Sequence, residues 1–201
     1  MSNGLRFGPL GPRTAHLCVD MQTIFAERTD WHLPWLERVL PTVLRIAEAR
    51  PEQTICTRFV PPDRPEDMPG SWRRYYERWP HMTKEELDPH MIELVPELAK
   101  LVPPARVIDK HCYSPFTEPG LLKLLKQREV DSLVITGAET DVCVLAAVLG
   151  AVDHGFRVVL ATDALCSASD RTHDALLALY HQRFSQQIEA AEADEILDDW
   201  R

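Results

Sequence analysis

Three residues in this chain carry side chains that acyl transfer uses, and each stands at the end of an apolar run: Asp20, Lys110 and Cys143. A carboxylate takes up a proton, an ammonium steadies a developing negative charge, and a thiol attacks a carbonyl carbon. Cys143 follows Leu133-Val-Ile-Thr-Gly137 and a short Ala-Glu-Thr-Asp turn, and the apolar run Val144 to Leu149 continues beyond it as a helix. A cysteine in the first turn of a helix meets unpaired backbone N–H groups and the positive end of the helix dipole, which favour the thiolate and lower its pKa. The same amides can hold an oxyanion. Each residue also has an ordinary structural explanation: Cys143 as a small buried apolar group, Asp20 as a cap for backbone amides, Lys110 as an exposed lysine. Singly, those roles are the commoner ones; together, the three make up nucleophile, base and charge stabiliser.

The elements that must position them follow from hydrophobic periodicity. Residues 15–20 form a short apolar run ending in a carboxylate, as in a buried parallel strand whose last residue emerges at the carboxyl edge of a sheet. Residues 34–50 supply a helix, with Leu36, Val39, Leu40, Val43, Leu44 and Ala47 at helical spacing, Pro41 as a kink site and Pro51 ending it. Further strands are expected at 54–59, 106–109, 132–136 and 157–161, with apolar-periodic helical stretches at 119–128 and 141–154. A last helix at 170–183 and a weak edge strand at 187–190 complete the set. This rhythm predicts a three-layer α/β/α fold around an open, mostly parallel, Rossmann-like sheet of about six strands. Such sheets bind ligands at the carboxyl ends of their strands, where Asp20, Lys110 and the loop leading to Cys143 would converge.

With 201 residues, 45% of them hydrophobic, the chain is read as a single domain, 1–201, interrupted by an insertion at about 60–90. Residues 1–14 hold no continuous apolar run, so neither a signal peptide nor a membrane span is read there, and a cytoplasmic protein with no membrane partner is expected. Cys18, Cys56, Cys112, Cys143 and Cys166 include no Cys-x-x-Cys pair and are read as free thiols. A net charge of −9 argues against nucleic acid as a partner. The prolines cluster at 61–69 and 96–104, marking irregular connections.

Within the insertion, Arg64, Arg73, Arg74 and Arg78 interleave with Trp72, Tyr75, Tyr76 and Trp79, and Arg58 stands just before it. Guanidinium groups and ring faces suit recognition of a carboxylate or a planar ureido group. The same composition suits an oligomer interface or a solvated helix, and the residues alone leave both readings open. Arg58 is the preferred single candidate for substrate binding, because the strand end fixes it near the active edge.

Three blocks carry a resemblance to a known family: Val19-Asp-Met-Gln22 with Phe25 beyond it; Asp109-Lys110 followed by Ser114-Pro-Phe116; and Ile135-Thr-Gly-Ala-Glu-Thr-Asp-Val-Cys-Val144. On these the chain resembles the isochorismatase-like cysteine hydrolases, a group that includes nicotinamidases, N-carbamoylsarcosine amidases and ureidoacrylate or biuret amidohydrolases. The Gly-x-x-Thr-Asp-x-Cys-Val block is the most specific of the three. The resemblance implies Cys143 as nucleophile, Asp20 as the base that takes its proton, and Lys110 as the group that orients or stabilises the charged pair. It also implies a cis peptide between Ala138 and Glu139 that aims the Glu139 and Cys143 amides at one oxygen. The reaction implied is hydrolysis of a C–N bond in a small amide, carbamoyl or ureido compound through an acyl-enzyme. Gln22, Phe25 and Phe116 become pocket-lining candidates beside the family blocks, with Trp31 and Tyr113 behind them.

Metal-dependent nicotinamidases resemble the chain too, but place an Asp-x-His pair and a further His around the end of the second strand, where this chain has Thr57-Arg-Phe-Val60. Asp88-Pro-His90, with His81 upstream, spells the pair in the wrong context, so no metal and no cofactor are expected. Two other functions stay in play: isochorismate-type vinyl ether hydrolysis, which needs no cysteine, and a silent family member that binds a small molecule or a protein. By analogy with the family, a dimer or tetramer is expected.

Overall fold

The structure, a computed structural model, describes residues 4–201. Six strands form one sheet: β1 (Thr14–Val19), β2 (Thr54–Phe59), β3 (Arg106–Lys110), β4 (Ser132–Ala138), β5 (Arg157–Cys166) and β6 (Ile188–Ala191). Their order is β3-β2-β1-β4-β5-β6, and all five pairings are parallel. Every residue of the central strands β1 and β4 is buried, which is why both are mostly apolar, with His16 and Thr136 among the few polar residues inside them. The chain steps from β1 outward through β2 to β3, then returns to the other side of β1 to lay down β4. Strand order therefore reverses between β1 and β4, and the crevice beyond their carboxyl ends is where such sheets place a ligand.

Parallel strands need crossovers, and here helices supply them on both faces. Helix α1 (Thr23–Ala26) is a single turn after β1, and α2 (Leu36–Ala49) follows it. α2 buries Leu36, Val39, Val43, Ile46 and Ala47, spaced three and four apart, against β1, β4 and β5. Each of the Leu, Val and Ile side chains among them contributes roughly 1.5–3 kcal/mol on full burial. Pro41 lies inside α2 on its exposed side, so the lost backbone bond falls where water can satisfy the Glu37 carbonyl. The insertion is not featureless: it carries α3 (Gly70–Arg78), whose Trp72, Tyr75 and Tyr76 turn inward onto Trp31 and Phe59. Residues 96–104 likewise hold a short helix, α4 (Pro96–Ala99), before two cis prolyl bonds, Val102–Pro103 and Pro103–Pro104. On the opposite face run α5 (Pro119–Gln127), α6 (Cys143–Asp153) and α7 (Asp170–Gln182), while α8 (Ala193–Asp199) returns to pack beside α2.

β5 extends five residues past the expected end. Thr162-Asp163 interrupts its apolar run, but after a register shift Leu165 and Cys166 pair again with Gly137 and Ala138. Gly137 is required by contact: its φ is +110°, and a Cβ there would stand 2.0 Å from the Val19 carbonyl oxygen. That close approach of β4 to β1 brings the residue after β1 beside the loop after β4. His16, buried in β1, is held between Thr54 of β2 (3.1 Å) and Thr136 of β4 (2.8 Å), and burial lowers its pKa to about 3. Among the described residues no helix is long and apolar enough to cross a membrane.

Candidate active site

Asp20 leaves β1 with a φ of +51°, in the left-handed region that aspartate tolerates better than most residues. Thr57 of β2 holds it there. The Asp20 N–H donates to the Thr57 hydroxyl (3.1 Å), and that hydroxyl donates to Oδ1 of the same aspartate (2.6 Å). Lys110 is the one fully buried position of edge strand β3, so its ammonium is carried inward and not out to solvent. Its Nζ lies 2.7 Å from Asp20 Oδ2, 3.3 Å from Cys143 Sγ and 3.1 Å from the Cys112 carbonyl, and 4.9 Å from the centre of the Phe59 ring. Burial pulls the ammonium's pKa down, but the attraction of Asp20 and Cys143 outweighs it and the net shift is upward. Lys110 is therefore a charged group taken out of water because its partners replace that water.

Cys143 is the first residue of α6 and only 6% exposed. The expected lowering of its pKa by the helix start is not what the site does. Burial pushes the thiol well above its usual range, the Asp20 charge pushes it further, and Lys110 only partly opposes them. As first residue of the helix, Cys143 still presents an amide with no acceptor inside α6.

The loop between β4 and α6 is pinned from several sides. The Ala138–Glu139 peptide is cis. The Glu139 carbonyl accepts from Val142 N (3.1 Å) and Val144 N (3.0 Å), and its carboxylate accepts from Ala168 N (3.1 Å). Thr140 donates both its N–H (2.9 Å) and its hydroxyl (3.1 Å) to the Cys166 carbonyl and lies 2.8 Å from His173 Nδ1. Burial raises the pKa of the Glu139 carboxyl. His173 also lines a cavity of about 360 Å³ with Trp35, Asp163, Cys166 and Ser167; Asp20, Lys110 and Cys143 are not part of its wall.

Over the other side of the triad stand the aromatics of α3. Trp72 lies 4.7 Å from Tyr113 and 6.2 Å from Phe59, centre to centre, and Tyr75 and Tyr76 meet edge to face at 5.3 Å. Phe59, against which Trp72 packs, is the ring that Lys110 Nζ lies over, so this aromatic wall adjoins the triad. Within this segment Trp72, Tyr75 and Tyr76 pack inward on Phe59 and Trp31, whereas Arg73, Arg74 and Arg78 stay exposed.

The remaining candidates fall elsewhere. Arg58 is bound by Asp109, its register partner on β3, through Nε (2.7 Å) and by Glu93 through Nη1 (2.5 Å). Side chains alternate along a strand, so Arg58 and Asp109 point together, away from Thr57 and Lys110. Gln22 is fully buried and spends its amide on the Phe59 N–H and carbonyl and on the Ile92 carbonyl, strapping the chain and leaving no group for a ligand. Phe25 stacks on Trp31, and Phe116 packs against His154 and Phe156 beside α6. Trp31 belongs to the aromatic wall, 5.8 Å from Tyr75. Thr57 escaped the sequence reading because only the β1–β2 register aims it at Asp20.

His90 pairs with Asp88 at 2.7 Å and lies 3.7 Å from Glu27, all exposed, and His81 borders a separate depression beside Arg64 and Glu85. Among the described residues no group of three or more His, Cys, Asp or Glu is placed to hold a metal ion. The donor set of the metal-dependent relatives is thus not reproduced at the end of β2.

Comparison with known proteins gives consistent matches. The model of the isochorismatase domain matches residues 14–192. Isochorismatase family protein 1A of Dictyostelium discoideum is 38% identical over 82 residues, 40% of this chain and 38% of that protein. Maleamate amidohydrolase of Pseudomonas putida is 31% identical over 71 residues, 35% of this chain and 33% of that protein. The chain thus spans between about a third and two fifths of the length of these relatives. A cysteine hydrolase from Pseudomonas syringae pv. phaseolicola has a similar fold, with a TM-score of 0.80 at 22% identity over 99% of this chain and 98% of that one.

Proposed function

This chain belongs to the isochorismatase-like cysteine hydrolase superfamily, and from that premise we propose that it hydrolyses a C–N bond in a small amide, carbamoyl or ureido compound, with Cys143 as nucleophile. One observation carries the reading: a single buried ammonium, Lys110 Nζ, lies within 2.7 Å of a carboxylate and 3.3 Å of a thiol that opens a helix. A structural lysine has no need of the sulfur, and a structural cysteine has no need of the charge.

The sequence of steps follows from the pKa directions. Asp20 takes the thiol proton as sulfur attacks the carbonyl carbon, so the thiolate exists only as it is consumed. Lys110 keeps the two neighbouring negative charges tolerable during that transfer. The carbonyl oxygen, now anionic, is received by the amides of Cys143 and Glu139. Asp20 then returns the proton to the departing nitrogen, the C–N bond breaks, and ammonia or an amine leaves a thioester on Cys143. Water, deprotonated by Asp20, attacks the thioester; the acid departs and sulfur regains its proton. The partial likeness to maleamate amidohydrolase supports the amide class. No step is assigned to a metal, because the residues at the end of β2 do not form its donor set.

The test is ammonia release from a panel of small amides, ureido acids, carbamoyl compounds and nicotinamide, comparing wild type with Cys143→Ala. Release that depends on Cys143 is the expected result. Turnover of a vinyl ether that survives Cys143→Ala, or silence of both proteins, would contradict it.

A further inference from the structure

Thr57 sits in the middle of the sheet, 0% exposed, where the strand asks for a β-branched side chain and valine would have nearly the same shape. Shape therefore does not explain the hydroxyl; its partners do. Cys56 is level with Cys18 in the β1–β2 register, so Thr57 stands beside the end of β1 and reaches the residue that follows it. Both of its recorded bonds go to Asp20: the hydroxyl accepts from the Asp20 N–H at 3.1 Å and donates its single hydrogen to Oδ1 at 2.6 Å. One bond holds the backbone of a residue at a φ of +51°, and the other holds the plane of its carboxylate.

The two oxygens of Asp20 are thereby made unlike. Oδ1 is filled by Thr57. Oδ2 lies 2.7 Å from Lys110 Nζ, yet it has no hydrogen-bond partner among the described residues, so this contact supplies charge without the alignment of a hydrogen bond. The hydrogens of the ammonium are directed instead to the Cys112 carbonyl and to Cys143 Sγ. Oδ2 is thus a buried carboxylate oxygen with an open lone pair, and it and the sulfur both lie within 3.3 Å of one nitrogen. A buried acceptor left open beside a thiol is a place for the thiol proton. Lys110 attracts the carboxylate but, as a point charge, does not fix its plane; Thr57 does.

We propose, resting on the hydrolase reading above, that Thr57 is a positioning residue of the reaction: by engaging the Asp20 N–H and Oδ1 it turns Oδ2, with its lone pair open, to the sulfur, and makes that oxygen the one through which protons pass. The proton then moves from sulfur to Oδ2 and on to the departing nitrogen, and in the second half from water to Oδ2 and back to sulfur, while the threonine keeps its own hydrogen throughout. Without the hydroxyl the carboxylate keeps its charge but is free to rotate off the sulfur, and a misplacement of about 1 Å in a reacting group costs on the order of 100-fold in rate.

The experiment takes the member of the amide, ureido, carbamoyl and nicotinamide panel that wild type turns over fastest and measures kcat by ammonia release in Thr57→Val and Thr57→Ser. Binding of the same compound is measured by calorimetry in Cys143→Ala with and without Thr57→Val. Thr57→Val is expected to lower kcat by about 10- to 100-fold, Thr57→Ser, which keeps the hydroxyl, to recover most of the loss, and Kd in the Cys143→Ala background to stay unchanged. Should Thr57→Val not fold, Thr57→Cys replaces it: its thiol is a weaker donor in the same place, and kcat should fall well below that of Thr57→Ser. Cys143-dependent turnover that survives loss of the hydroxyl, a serine variant as slow as the valine or cysteine one, or a Kd weakened as much as kcat falls overturns the inference, leaves Thr57 a packing residue, and lets the hydrolase reading stand. Absence of any Cys143-dependent release overturns both.

Discussion

Replacing Lys110 with Met tests the physical core of the site, because the two side chains have similar length and differ in the charge. The ammonium is 0% exposed and serves Asp20, Cys143 and the Cys112 carbonyl together. In Lys110→Met, the Asp20 carboxylate stays buried and keeps Thr57 but loses its ammonium partner. Removing one member of a buried ion pair costs about 3–5 kcal/mol. That is a large part of the roughly 5–15 kcal/mol by which a domain is stable. At about 2–4 °C per kcal/mol for a chain of this size, the melting temperature should fall by roughly 6–20 °C. Urea unfolding at pH 7, followed by tryptophan fluorescence, gives the free energy directly. The double variant Asp20→Asn, Lys110→Met removes both charges and should lose less stability than Lys110→Met alone, a coupling of about 1–3 kcal/mol. A single variant destabilised by less than about 1 kcal/mol, or a double variant that is simply additive, would refute the claim that these charges depend on each other.

Other consequences are checked as directly. His16 has a folded pKa of about 3 against 6.5 unfolded, so the unfolded chain binds the extra proton between those values; stability is complete above about pH 6.5 and drains away as pH falls. Unfolding free energies at pH 7.5 and pH 5 should differ by about 2 kcal/mol from this group, and His16→Gln should flatten that difference. Because burial raises the Cys143 thiol, its alkylation by iodoacetamide should be slow at pH 7 and still accelerating above pH 9; a plateau reached by neutral pH would contradict a resting thiol. EDTA should leave ammonia release unchanged, and activity lost to EDTA and restored by added metal would overturn the metal-independent account.

Much of the site could be read from the chain because its three groups announce themselves locally. Asp20 and Lys110 end apolar strand runs and Cys143 begins an apolar helix, and a parallel sheet brings such ends to one edge whatever their separation in sequence. What local pattern left open was everything that depends on depth and register. The helix start pointed to a low thiol pKa, but the depth of Cys143 beside Asp20 decides the sign. Arg58 ends the right strand yet sits on the wrong side of it, which the period of two fixes only once β3 is in register with β2. Gln22 looked like a pocket residue and is a strap between β2 and residue 92. The aromatic insertion was equally suited to a ligand or a surface, and only the packing of Trp72 and Tyr76 against Phe59 and Trp31 turned it toward the triad.

The central claim is that sulfur of Cys143 becomes covalently bonded to the acyl group of the substrate. Acid quenching during turnover of whichever amide releases ammonia fastest, followed by peptide mass spectrometry, measures that bond directly. The account predicts an adduct with the mass of the acyl group on the peptide that carries Cys143, and neither adduct nor ammonia from Cys143→Ala. Sustained ammonia release by Cys143→Ala, or wild-type turnover with that peptide unmodified, would contradict it.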